Sequence, residues 1–152
     1  MNPELVICRP TYVLEPGVPF ALPAAVLLPA FEADSLAPAL PRLVASLVAR
    51  GASCFVCVGP HAERLHDAVD DVLIEQDLVG DEEARTITTT WHDEDALEEC
   101  VFFFMTAVPM AAREGCCLVA LLDEDRPDER AVIQLLARGS GDVRDDQKRR
   151  KS

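Results

Sequence analysis

The sequence predicts an α/β fold: a three-layer sandwich around a mainly parallel, open sheet of four to five strands, Rossmann-like or flavodoxin-like. Three observations carry this. Two continuous apolar runs, at 54–58 and 116–122, lie between turn signals, as suits strands covered on both faces. Stretches with apolar residues at helical spacing separate these runs from their neighbours. Strand-like and helix-like stretches also alternate along the chain, and alternation of that kind implies βαβ units.

Taken in order, the first part is rich in proline. Eight of the eleven prolines fall within Met1–Pro41. Leu5–Cys8 and Thr11–Leu14 read as short extended pieces, suited to an edge strand, and Glu15–Pro19 as a turn-rich linker. Residues 24–28 read as the first core strand, closed by Pro29. A helix is expected over 35–50, capped by Asp34 or Ser35 and buried through Leu40, Leu43, Val44, Leu47 and Val48. Pro41 leaves its start open, while Gly51 supplies a stop.

The clearest unit comes next. A strand over 53–58 runs into a Gly59-Pro60 turn and a helix over 61–76. That helix carries Ala62, Leu65, Val69, Val72 and Leu73 on one side, with Glu63, Asp67, Asp70, Asp71 and Glu75 on the other. The β-branched stretch 85–90 reads as a strand, less apolar than its predecessor and therefore nearer an edge. Trp91 and His92 end it, and Asp93 has the chemistry of an N-cap for a helix over 94–108. Leu97, Cys100, Val101, Phe104 and Val108 form the stripe of that helix; Phe102, Phe103 and Met105 make it apolar nearly all round, so it should be buried on two sides, one of them open to a second subunit. The aromatic run would also suit a strand, but the start signal at Asp93 favours helix. A buried strand over 116–122, an acidic loop and a closing helix over 129–138 complete the pattern. The order of the four core strands is left between 3-2-1-4 and 2-1-3-4.

Length suits one domain, expected over 1–138 with 1–23 as its proline-rich leading segment; the polar stretch 139–152 should be a disordered tail. The net charge is −13, and the final fourteen residues hold five basic and three acidic side chains, which leaves 1–138 with nine basic and twenty-four acidic residues, a net of −15. Such a domain repels phosphate backbones, so nucleic acid is excluded as a partner and a basic protein is favoured. The longest uncharged stretch, 16–31, is too short and too rich in proline to span a bilayer. The opening residues lack the basic and apolar regions of a secretory leader. Six cysteines sit mostly in apolar runs and read as free buried thiols in a reducing cytoplasm.

Ligands of open α/β sheets bind beyond the carboxyl ends of the strands. The residues expected there are Phe31, Glu32 and Asp34; Gly59, Pro60 and His61; Trp91, His92 and Asp93; and Asp123, Glu124 and Asp125. Histidine beside carboxylate can move protons, so His61, His92, Asp93 and Asp123 form the candidate ligand site. No metal or cofactor is expected. Cys54 and Cys57 point to opposite faces of one strand and cannot share a metal. His61 and His66 lie about 140° apart round a helix. No glycine-rich phosphate loop and no G-x-S-x-G turn is present. A receiver domain of the same layout would need an acidic pair after its first strand and a late lysine, and this chain has Ala30-Phe31 and lysines only at Lys148 and Lys151.

The stretches Thr88-Thr-Thr-Trp-His-Asp-Glu-Asp-Ala-Leu-Glu-Glu-Cys-Val-Phe-Phe-Phe104 and Phe55-Val-Cys-Val-Gly-Pro-His61 cover under a fifth of the chain. They resemble the signature of a small bacterial family of unknown function. The resemblance implies an α/β domain and a bacterial source, and brings no activity with it.

The expected function is therefore that of a non-enzymatic, acidic interaction protein of the bacterial cytosol: an inhibitor, an immunity-type binder or an assembly subunit. Trp91, Phe102, Phe103 and Met105 are its candidate interface, and a homodimer through the helix over 94–108 is compatible with it. The alternative is an enzyme or a small-ligand or metal binder using the His/Asp set at the carboxyl ends of the strands, which would require His61 and His92 to converge in a pocket.

Overall fold

The computed structural model describes residues 4–10, 23–33, 36, 38–76, 87–93, 97–107 and 117–138. Among the described residues, five strands form one all-parallel sheet: β1 (Glu4–Cys8), β2 (Pro23–Pro29), β3 (Cys54–Val58), β4 (Thr88–His92) and β5 (Cys117–Leu121). Their order is β1-β5-β2-β3-β4. The four core strands of the sequence pattern thus take the 3-2-1-4 order, and the leading strand adds a fifth beside β5, in register from Glu4 opposite Cys117 to Cys8 opposite Leu121.

Strand alternation divides the core in two. Val26, Leu28, Phe55, Cys57, Val119 and Leu121 point to one face, where they meet helices α1 (Leu40–Ala49) and α2 (Ala62–Glu75). Ala25, Leu27, Val56, Val58, Leu118 and Ala120 point to the other, against α3 (Leu97–Phe102) and α4 (127–138). Strands β2, β3 and β5 have helices on both faces, which is why their sequences are continuously apolar. Cys54 and Cys57 fall in different halves, as their spacing requires. The described cysteines, Cys8, Cys54, Cys57, Cys100 and Cys117, are free thiols; burial pushes Cys8 up to about 11 and Cys100 up to about 12, so both stay protonated. Cys116 lies outside the described residues.

Element bounds differ from the sequence pattern for identifiable reasons. Helix α1 begins at Leu40 rather than 35, because Pro41 lacks an amide and is tolerated only within the first turn. Its N-cap is Ala39, without a side-chain bond. Its end is a Schellman motif: Ala52 N–H donates to Leu47 O at 3.0 Å and Gly51 N–H to Val48 O at 3.0 Å, with Gly51 at φ +111°. Pro60 precedes the N-cap of α2 instead of entering the helix. Strand β4 runs through Trp91 and His92 because its ladder with β3 extends to the Val58–His92 pair. Helix α4 starts two residues earlier than expected, with Pro127 in its first position.

The apolar stretch expected as one helix over 94–108 changes character midway. After Phe102 it becomes a π-helical turn, Phe103–Ala107, and Thr106 donates its hydroxyl to the Phe102 carbonyl. A hydroxyl that takes a backbone carbonyl loosens the helical ladder there. Residues 94–96 and 108 lie outside the described residues, as do the expected cap contacts of Asp93, the piece at 11–14, the linker and the tail.

Candidate functional site

All five strands are parallel, so their carboxyl ends share one edge of the sheet. From β1 to β4 that edge presents Arg9, Asp123, Phe31 with Glu32, Gly59 with His61, and His92 with Asp93. The chain turns from one face to the other between β2 and β5, where α1 and α4 leave on opposite sides. This is the place at which an open α/β sheet forms a crevice.

An ion-pair network occupies that place. Arg126 pairs with Glu32 across the gap between the loops that follow β2 and β5, and its Nε lies 3.6 Å from Glu129 Oε2. Arg9, just beyond β1, reaches Asp125 at 2.6 Å and Asp123 at 3.6 Å. Asp123 Oδ1 accepts the Asp125 N–H at 2.9 Å, a local Asx turn. Glu129 Oε1 accepts the Asp123 N–H at 2.9 Å. Glu129 is only 4% exposed, the one buried charged side chain among the described residues. It sits in the first turn of α4 and reaches back to the loop, much as the glutamate of a capping box does. The exposed Arg pairs add little stability; the buried carboxylate organises the loop.

Burial raises the Glu129 carboxyl above its ordinary value near 4.5, and the Asp123 N–H and Arg126 oppose that shift. Between the unfolded value and this higher one the folded protein holds the extra proton, so stability falls as pH rises through the window. Glu129→Gln keeps an acceptor for Asp123 without the charge. The difference in unfolding free energy, wild type minus variant, should decline from about pH 4.5 upward and then level off. Urea unfolding of both proteins across that range checks this, and a flat difference contradicts it. Glu129→Ala removes the acceptor as well and should cost about 1–2 kcal/mol.

The four residues of the expected His/Asp set are distributed along the edge. His61 heads α2, on the first face, and makes no side-chain cap bond; its N–H donates to Ala30 O at 2.9 Å. His92 ends β4 on the second face, with its ring 5.6 Å from that of Phe103. Its Nε2 is buried with no hydrogen-bond partner, and burial holds its imidazolium below the ordinary range while Glu99 opposes. Asp93 is exposed just past β4. Asp123 belongs to the Arg9 network beyond β5, three places from β4 in the sheet order β1-β5-β2-β3-β4. No hydrogen bond or ring contact joins the two histidines. Among the described residues, no three His, Cys, Asp or Glu side chains group as metal ligands.

Of the expected interface residues, Trp91 is 40% and Phe102 69% exposed, while Phe103 and Met105 pack against the core of the second face. Arg9, Arg126 and Glu129 were not singled out by sequence. The legible signal was local: Arg126-Pro127 before a helix, with Glu129 in its first turn.

A family model described as "Domain of unknown function (DUF7684)" matches residues 9–138, and the chain belongs to that family. No curated protein and no solved structure matches the chain.

Proposed function

We propose that this member of the family is a non-enzymatic, acidic interaction protein of the bacterial cytosol that binds a basic protein partner, as an inhibitor, an immunity-type binder or a subunit of an assembly. The observation that carries the reading is the charge, −15 over 1–138, together with its display on one helix. On α2, Glu63, Asp67, Asp71 and Glu75 are exposed, and Ile74 stands among them, 68% exposed. Complementary charge accelerates encounter, and an apolar side chain within it supplies an anchor. The exposed Phe102 offers a second apolar anchor on the opposite face, for a partner or a second copy. No described helix is long and apolar enough to cross a membrane. Free, protonated thiols fit a reducing compartment.

The alternative, a small-ligand or catalytic site of His61, His92, Asp93 and Asp123, has weaker support, since the two histidines serve different faces and Asp123 is engaged by Arg9.

Affinity capture from native lysate tests the reading. The bait is compared with a variant carrying Glu63→Gln, Asp67→Asn, Asp71→Asn and Glu75→Gln. A basic protein should be retained at about 50 mM salt and released near 500 mM, with capture by the neutralised variant reduced about tenfold or more. Equal capture by both baits, with the same salt profile, overturns the proposal.

A further inference from the structure

Strand β4 is an edge whose sequence, Thr88-Thr-Thr-Trp-His92, carries no proline, glycine, lysine or carboxylate. Edge strands are ordinarily protected from pairing by such residues. Its inner side is fully engaged: Thr88 N–H donates to Ser53 O at 3.0 Å and His92 O accepts the Gly59 N–H at 3.0 Å. In a parallel ladder the residues between therefore alternate, so the backbone groups of Thr89 and Trp91 point away from the sheet. Among the described residues no hydrogen bond satisfies them.

The side chains of Thr89 and Trp91 share the face of their register partners Phe55 and Cys57, the face covered by α2. A right-handed crossover from β3 through α2 to β4 fixes which flank of α2 overhangs the edge. Leu65, Ala68 and Val72 turn inward toward α1; His66 and Asp70, then Glu63, Asp67 and Ile74, lie on the flank above β4. His66 is held there by Asp67 at 3.0 Å and Asp70 at 3.7 Å. Among the described residues the edge thus lies open beneath an acidic wall, with the half-exposed Trp91 ring between them.

We infer that β4 accepts an added strand from a basic partner: an extended segment with Lys or Arg at every second position. Its backbone pairs with Thr89 and Trp91. Period-two alternation places its cationic side chains on the α2 side, against Asp67 and Asp70 and over the Trp91 ring. A second copy of this chain is a poor occupant, since joining two such edges brings two acidic flanks together. The inference rests on the acidic-binder reading and specifies its mode.

Trp91 is the sole tryptophan, so its fluorescence reports the edge directly. The probes are a short acetylated peptide alternating Lys with Val and a peptide of the same composition with its lysines contiguous. At low salt the alternating peptide should bind at least about tenfold more tightly and slow hydrogen exchange at the Thr89 and Trp91 amides. Asp67→Lys with Asp70→Lys should abolish its binding. Thr89→Pro removes one outward N–H at a position where an edge tolerates proline, and should weaken binding about tenfold with the melting temperature retained. Should that variant not fold, amide exchange in the unaltered protein decides. Equal, salt-sensitive binding of both peptides without amide protection overturns strand addition and leaves the acidic-binder reading intact. Binding of neither peptide also overturns strand addition, and the lysate capture then judges the broader reading separately.

Discussion

Replacing Gly59 by alanine is expected to lower the unfolding free energy by about 3 kcal/mol or more, two costs acting together. Gly59 has φ +129°, a conformation that side chains rarely adopt. A Cβ there would also meet the carbonyl carbon and oxygen of Ala30 at 2.7 Å and the Phe31 nitrogen at 3.0 Å. Those atoms are backbone and cannot rotate away. They are also pinned: Ala30 N–H donates to Val58 O at 2.7 Å, His61 N–H to Ala30 O at 2.9 Å, and Gly59 N–H to His92 O at 3.0 Å. Relief of the clash must therefore move the ends of β2, β3 and β4 against one another. At about 2–4 °C per kcal/mol for a chain of this size, the melting temperature should fall by about 6–12 °C. Calorimetry of the variant checks this. A drop of only a degree or two would mean that the loop after β2 yields freely, and the edge would then be softer than its hydrogen bonds indicate.

That turn was legible in the sequence because its signals are local. The run Cys54–Val58, the glycine and the apolar stripe of α2 each follow from neighbours within a few residues. The same holds for β5, for α4 and for the glycine that ends α1. The features that escaped are set by partners far along the chain. Arg9 meets Asp125 across 116 positions, and Arg126 meets Glu32 across 94, so neither pairing leaves a periodic trace. The pairing of β1 with β5 is of the same kind. Strand β4 reaches His92 because of the register it keeps with β3, although the β-branched run that marks it in the sequence stops at Thr90. The His/Asp set shows the limit most clearly. Sequence placed all four residues at the carboxyl edge, but the side chain of His92 follows strand alternation to one face while His61 heads a helix on the other. Which strand end a residue occupies is a local property; which residues converge there is not.

The three successive phenylalanines provide the sharpest energetic contrast within a single stretch. Phe104 is fully buried and Phe102 is 69% exposed, two positions apart on one helical segment. A helix turns through about 200° over two residues, which by itself sets the two rings on opposite sides. In the π turn Phe103–Ala107 each residue advances through a smaller angle, which draws the partly buried Phe103 and Met105 toward the side of Phe104, and all three pack against the core of the second face. Phe102, the last residue before the change, stays on the outer side. Phe104→Ala should therefore cost about 3–5 kcal/mol, the lost burial plus the cavity left in the core of that face. Phe102→Ala should cost less than about 0.5 kcal/mol, as surface substitutions do. Urea denaturation of the two variants, with m-values compared, measures both. A small loss at 104 with a large one at 102 would reverse the burial of the segment and remove Phe102 from any surface a partner could use. The expected pattern leaves that ring free to be spent on binding, because folding does not depend on it.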